Sequence, residues 1–500
     1  MHEVFRTLWT NPNLINMRFH FWMVVVWLVG ALSPTLAQPR GELVSATLIR
    51  SFTKAQLADV YAANGIPTFF APIEYAVDAY RLIYRTPAAT GDSLTVASGL
   101  LAVPQDDCDF PLFNYNHGTA FYGPSVSDLA LEWQVGVVMA ATGYLAALPD
   151  YLGYGATPVS LPHPYLHAET QASAIVDLLR ATRQWCQQEG VRLNPQLFLA
   201  GYSQGGHAVM AAHRAIETQH SQEFTVTACV PGSGPYDLSG ITREALLAEE
   251  PSEAFYLAFL MFSYQHVYGT LWSDPTEAFV APFDSLLPIF FDRSTPPVGV
   301  PFPDTAVHML QPAYRQAVQQ DSLHPANRAL RANDLYDWTP QAPLRMYYCE
   351  ADDVVPYQNA LFALDQFQQN GATQAEARSA GANSGHEACA IPTFLNTKLW
   401  FDNFKAACTP DTTSTAVSSL PKQSLRFWRQ QDGFTLRASP TRPFQPGVLR
   451  VLDVQGRSLY QQRLQHPAEA LTVHLPGLAP GLYVVSWEGA RAWRGKWLRR

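Results

Sequence analysis

Gln196-Leu197-Phe198-Leu199-Ala200-Gly201-Tyr202-Ser203-Gln204-Gly205-Gly206-His207 is the stretch on which the reading of the chain turns. Gln196 to Ala200 has the apolar character of a buried strand, and His207 to Glu217 (HAVMAAHRAIE) carries a helical pattern. Between them lies G-x-S-x-G, a weak signal by itself. Its context strengthens it, because a sharp strand-to-helix turn is the setting in which such a serine stands exposed and strained. Glycines two residues either side leave no Cβ to clash. The N-terminus of the new helix then offers backbone N–H groups to a developing negative charge. Ser203 is the candidate nucleophile.

A serine hydroxyl is a poor nucleophile without a base and a group to orient that base. On such a turn the partners follow in the order Ser, Asp/Glu, His. The Leu344–Cys349 run (LRMYYC) reads as a strand, and Glu350-Ala351-Asp352-Asp353-Val354-Val355-Pro356 follows it. A carboxylate at the C-terminal end of a strand sits at the edge where such sheets bind ligands. Asp352 and Asp353 both qualify; alternation and the spacing to Val355-Pro356 favour Asp352, with Asp353 as the alternative. The base is expected at His386, in the loop ANSGH that leads into a last helix over Glu387 to Ala406. His207, one turn beyond Ser203, suits packing behind it. His163, His167 and His213 read as ordinary surface or core residues. For the oxyanion, the Gln204 backbone N–H needs a second donor, and His117-Gly118-Thr119 after the Leu112–Tyr115 strand supplies Gly118 and Thr119 as candidates. Asp150, in Asp150-Tyr151-Leu152-Gly153-Tyr154-Gly155, reads as a carboxylate satisfied by loop amides.

Outward from this centre, the chain falls into regions of different texture. From about Glu42 to Pro231, apolar runs such as Tyr144–Leu148 and Phe224–Val230 alternate with helical patterns such as 167–187, the signature of βαβ units and a parallel sheet. Within 167–187, Ile175, Leu178, Leu179 and Cys186 fall on one helical face. Residues 240–334 break the alternation and read as an inserted, mainly helical cap. Phe255 to Phe262 within it reads as the buried face of cap helices, with an acyl-binding wall as the alternative. Thr409 to Ser419 (TPDTTSTAVSS) begins a polar linker over 409–430, and 431–500 turns all-β, with strands such as Val448–Val454 and Leu471–Leu475.

The 500 residues carry 33 Lys plus Arg against 42 Asp plus Glu, a net charge of −9, which gives no support to a nucleic-acid partner. A hydrophobic share of 47% with only 15% charged residues excludes disorder. The apolar run Phe21–Leu32 is too short for a bilayer, which needs roughly 20 residues. Followed by Ser33-Pro34-Thr35-Leu36-Ala37, it reads as a signal peptide over residues 1–37. Met17 opens a signal of ordinary length, so Met1 reads as an over-extended start. Six cysteines stand at no metal spacing. Export permits disulfides: Cys389 and Cys408 bracket one helix, whereas Cys229 and Cys349 lie in runs that equally suit buried thiols.

Taken together, HGT, PDYLGYG, GYSQGGH, ADDVVP and SGHE, in this order and with a helical insertion before the acid, resemble the secretory lipase/esterase family of α/β-hydrolases over about residues 45–407. The resemblance implies a catalytic α/β domain over 38–408, with a mostly parallel central sheet and flanking helices. It further implies hydrolysis of a small-molecule or lipid carboxylic ester through an acyl-enzyme at Ser203, with His386 as base and Asp352 as acid. Neither metal nor cofactor is implied, and no Gly-rich phosphate loop or metal spacing suggests one. The C-terminal residues carry a second resemblance. Asp453-Val454-Gln455-Gly456-Arg457, Leu478-Ala479-Pro480-Gly481-Leu482-Tyr483 and the basic end Trp493 to Arg500 resemble type IX secretion sorting domains, small β-sandwiches read by an outer-membrane export machine. Ala438-Ser439-Pro440-Thr441-Arg442-Pro443 replaces the usual Pro-Asn-Pro opening. A serine peptidase of the same fold, and a catalytically silent surface-attached binding protein, are the competing readings.

Overall fold

The computed structural model describes residues 39–408, except 92, 121–124 and 292–299, and beyond them mainly the strands between 426 and 499. The elements below belong to one compact unit, Gly41–Arg500. The stretches read as signal peptide (1–37) and polar linker (409–425) lie outside the described residues, as do 438–445, 453–457 and 476–480 of the sorting motifs.

Nine strands form the central sheet: β1 (Leu43–Phe52), β2 (Val77–Pro87), β3 (Leu94–Pro104), β4 (Phe110–Asn116), β5 (Leu145–Pro149), β6 (Leu193–Tyr202), β7 (Ala228–Gly232), β8 (Leu344–Cys349) and β9 (Ala375–Gly381). Their order is β1-β2-β3-β5-β4-β6-β7-β8-β9. From β5 to β9 every pairing is parallel. The first three strands depart from the expected βαβ alternation: β1, β2, β3 and β5 pair antiparallel. Residues 88–93 alone join β2 to β3, too short a connection for a parallel crossover.

Helices cover both faces, which is why β4 is buried along its whole length, its two asparagines included. The Ala168–Glu189 and Gln204–Gln219 helices pack on one face, and the Trp133–Ala141 and His386–Asp402 helices on the other. Ile175, Leu178, Leu179 and Cys186 are all buried as the periodicity requires, and the helix stops on Gly190 in the left-handed conformation, φ 70°. Several boundaries differ from the sequence pattern; the last helix, for one, ends at Asp402 and not at Ala406. The nucleophile helix begins at Gln204, ahead of His207. β7 begins at Ala228, although Phe224 and Val226 are buried: apolar character there reports burial, not strand pairing.

Between β7 and β8 the insertion is mainly helical, with helices Ala254–Tyr268, Phe283–Phe291, Pro312–Gln320 and Pro325–Ala332. It closes on a core that includes Leu257, Leu260, Tyr264, Phe279 and Tyr314, joined by Tyr165 and Leu166 from the sheet domain. At the C-terminal end, β10 (Arg426–Gln430), β11 (Gly433–Arg437) and β14 (Ala470–His474) form one antiparallel sheet. β13 (Ser458–Leu464), β12 (Gly447–Leu452), β15 (Gly481–Gly489) and β16 (Trp493–Arg499) form another. They share a core of Phe434, Leu436, Leu449, Val451, Val473 and Trp487, so the two sheets make a sandwich. β10 lies within the stretch read as linker, so the β region begins by Arg426, earlier than residue 431.

The cysteines pair as Cys108–Cys408 and Cys349–Cys389, leaving Cys186 and Cys229 buried and free. Cys389 and Cys408, which bracket the last helix, pair with other partners and not with each other, and Cys349 is not a thiol. Spacing along the chain does not show that tertiary folding brings Cys108, at the entry to β4, beside the end of the last helix. Because this bond spans 300 residues, replacing Cys108 and Cys408 by alanine is expected to lower stability by about 2–4 kcal/mol. Thermal unfolding followed by circular dichroism measures it.

Candidate active site

β6 delivers the chain to Ser203, whose backbone sits at φ 58° and ψ −119° between strand and helix. A non-glycine residue in that region is strained by about 1–3 kcal/mol and needs its surroundings to hold it. They do. The Ser203 amide donates to the Gly232 carbonyl of β7 at 2.9 Å, and the Ser203 carbonyl accepts from the Gly206 and His207 amides at 2.9 and 3.2 Å. A Cβ on Gly205 would fall inside the Asn116 carbonyl oxygen, and one on Gly201 inside the Gly205 carbonyl oxygen. The turn therefore exists only where residues 201 and 205 have no side chain. Ser203 is 8% exposed, at the wall of a cleft, open to solvent, that the insertion lines with Leu246, Tyr256 and Leu260.

The structure brings the expected partners to the same place. His386 opens the last helix, and its Nδ1 lies 2.9 and 2.8 Å from the two carboxylate oxygens of Asp352. The Asp352 carboxylate also accepts the Val354 and Val355 amides at 3.1 and 2.8 Å, which fixes its direction. Asp353 binds the backbone instead. Its Oδ1 accepts the His386 backbone N–H at 2.8 Å, and that bond holds its carboxyl below the usual carboxylate range. Tyr202 donates its hydroxyl to the His386 carbonyl at 2.6 Å and lays its ring 5.2 Å from the imidazole. Among the described residues no hydrogen bond links Ser203 Oγ to His386. Such bonds commonly tighten only once substrate is present.

The loop after β4 lies against the turn, and a Cβ on Gly118 would stand 3.8 Å from that of Ser203. The expectation for Gly118 is corrected by its own amide, which already donates to Glu132 Oε1 at 3.1 Å. It is therefore not a free oxyanion donor. Glu132 Oε2 accepts the Tyr115 hydroxyl at 2.7 Å, and Glu132 itself sits at φ 46°. Nothing in its sequence context singles it out. The Thr119 amide has no acceptor among the described residues, and the Gln204 amide is the first of its helix, with no intrahelical acceptor. The Gln204 side chain is buried and donates to His163 Nε2 at 2.6 Å, while His163 Nδ1 meets the Leu152 carbonyl at 2.6 Å.

His207 lies behind the nucleophile, between Gln171 and the Asn333 carbonyl, and burial pushes its pKa down to about 3. It is neutral and structural. His167 and His213 are likewise buried. Asp150 accepts one amide, from Ser127 at 2.8 Å, together with the Ser98 and Ser127 hydroxyls. Among the described residues no group of His, Cys, Asp and Glu is arranged to hold a metal.

The strand order, the strained serine between β6 and its helix, and the insertion ahead of β8 decide the architecture. The fold is that of the α/β-hydrolases. Among solved structures, the chain is similar to the rice cell wall degrading esterase LipA from Xanthomonas oryzae, at 26% identity and a TM-score of 0.66, over 73% of this chain and 99% of that one. It is similar to a candidate hydrolase from Legionella pneumophila at 25% identity and a TM-score of 0.65, over 75% of this chain and all of the other. Candida antarctica lipase A in its closed state shares the fold at 15% identity, with a TM-score of 0.54 over 76% of this chain and 86% of that one. No family model and no curated protein matches the chain.

The close approach at the turn makes a direct prediction. Gly201→Ala or Gly205→Ala should destabilise the protein by about 3 kcal/mol or more, because backbone atoms and not flexible side chains must yield. Denaturant unfolding would show it.

Proposed function

We propose that the protein is an exported carboxylic ester hydrolase working through a Ser203–His386–Asp352 triad. The observation that carries this reading is a strained serine at the strand-to-helix turn after β6, together with an Asp just past β8 paired to the His that opens the last helix, Nδ1 to carboxylate at 2.8 Å. The esterase and lipase neighbours support the class of substrate.

In this reading Ser203 Oγ attacks the ester carbonyl while His386 takes its proton, and Asp352 holds the imidazole in the required tautomer through Nδ1. The tetrahedral oxygen is met by the amides of Gln204 and Thr119, with Glu132 fixing the loop through Gly118. The alcohol leaves with the proton from His386. Water then repeats the sequence on the acyl-enzyme and releases the acid. The cleft between sheet edge and insertion takes the ester, and the apolar residues above it suit an acyl chain. The reaction needs neither metal nor cofactor.

The remaining organisation is proposed in the same terms. Residues 1–37 direct export, 38–408 form the hydrolase with its cap at 240–334, and the C-terminal sandwich is the type IX sorting domain. No described helix is long and apolar enough to cross a membrane.

Ester turnover by the full chain is the test, with p-nitrophenyl butyrate and palmitate as substrates and an aminoacyl-anilide as the amide control. Ser203→Ala and His386→Ala are each expected to lower kcat by about 10⁴-fold or more, with the anilide inert. A folded wild-type chain that turns over neither ester, or variants that retain activity, would overturn the assignment. Amide turnover would move the peptidase reading ahead.

A further inference from the structure

Two cross-links join the end of β8 to the start of the last helix, and they stand three residues apart on both segments. One is the Asp352–His386 pair, the other the Cys349–Cys389 disulfide. Residues three apart on a helix are neighbours on its surface, so His386 and Cys389 project from the same side. On the facing segment, the Asp352 amide donates back to the Cys349 carbonyl at 3.3 Å, a turn that sets Cys349 and Asp352 side by side. Both cysteines are fully buried.

The third member of this junction is Tyr202, the residue before Ser203. Tyr202, Cys349 and Cys389 form a small core of their own, separate from the large clusters on either face of the sheet. Tyr202 then reaches His386 twice, through its hydroxyl on the carbonyl and its ring beside the imidazole. The segments that carry Ser203, Asp352 and His386 therefore meet in one buried cluster, none of whose members is needed to move a proton or an acyl group.

We propose that Tyr202 and the Cys349–Cys389 disulfide are the positioning unit of the site, and that full ester turnover requires this disulfide to be formed. The inference rests on the triad reading above. The bond closes a segment of 40 residues. Without it, the first turn of the last helix is tied to the strand end by the Asp352 and Asp353 hydrogen bonds and by packing alone, and a displacement of about 1 Å is enough to cost two orders of magnitude in rate. Thiols persist in a reducing cytoplasm and oxidise outside it, so the chain gains its activity after export. The chemistry is a two-electron exchange. In the forming direction one of the two thiolates attacks a low-molecular-weight disulfide, giving a mixed disulfide and releasing one thiol; the second thiolate then displaces the other thiol and closes Cys349–Cys389, so the disulfide reagent takes up the two electrons.

The test compares the oxidised full chain with Cys349→Ala/Cys389→Ala, Tyr202→Phe and, as a control for general loss of cross-linking, Cys108→Ala/Cys408→Ala. Each is assayed where circular dichroism shows it folded. The Cys349/Cys389 variant is expected to lose about 10- to 100-fold in kcat with KM unchanged. Tyr202→Phe should lose less, and the Cys108/Cys408 variant should keep wild-type kcat. Wild-type kcat in the folded Cys349/Cys389 variant overturns the proposal, as does an equal loss in the control. Should that variant fail to fold, an unchanged kcat in Tyr202→Phe overturns it. An inactive wild-type chain overturns the triad reading and this inference with it.

Discussion

The Gly205 backbone rests directly on the Asn116 carbonyl, and the geometry of the site follows from that contact. Asn116 is the last residue of β4, and its partner across the parallel ladder is Gly201 of β6. The Asn116 side chain donates to Asn114 and to the Ala200 carbonyl, so the strand end is fixed laterally as well. With the strands in register, the helix after β6 has no choice of where to begin: it must start against β4, and Ser203 is left in a conformation that an unsupported chain would abandon. Strain at one residue is sustained by packing at several others.

The surroundings of the turn do not bury charge without a partner. Glu132 enters the half-buried space beside the turn only because the Gly118 amide and the Tyr115 hydroxyl meet its two oxygens. Asp352 is satisfied by two amides and an imidazole, and Asp353 by the amide that begins the last helix. A carboxylate removed from water without such donors would be strongly destabilising. Each acidic group thus ties two chain segments together, and the loops are ordered by the same bonds that keep the charges tolerable.

What is legible in the sequence is local. The strand, the glycine-flanked serine and the following helix are adjacent residues whose steric requirements can be read in order. Alternation and spacing favour Asp352 over Asp353, and only the three-dimensional contacts assign one to the imidazole and the other to the backbone. The direction of β2 and β3 is not legible from hydropathy: β2 carries Asp78, Arg81 and Arg85, whereas β3 is an apolar run like the parallel strands. The six-residue connection between them is the available signal. Gly118 reads as a free donor because its acceptor, Glu132, enters from another segment. The cysteine pairing and the role of Tyr202 depend on distances that spacing along the chain does not encode.

The Cys108–Cys408 bond has a consequence of a mechanical kind. It turns everything from the entry of β4 to the end of the last helix into a closed covalent ring, with the sandwich strands attached outside it. A load applied to the chain beyond residue 408 is carried through the bond to the backbone at Cys108, and is not passed turn by turn into the helix that holds His386. Pulling on that end, or severing it, stops at the ring.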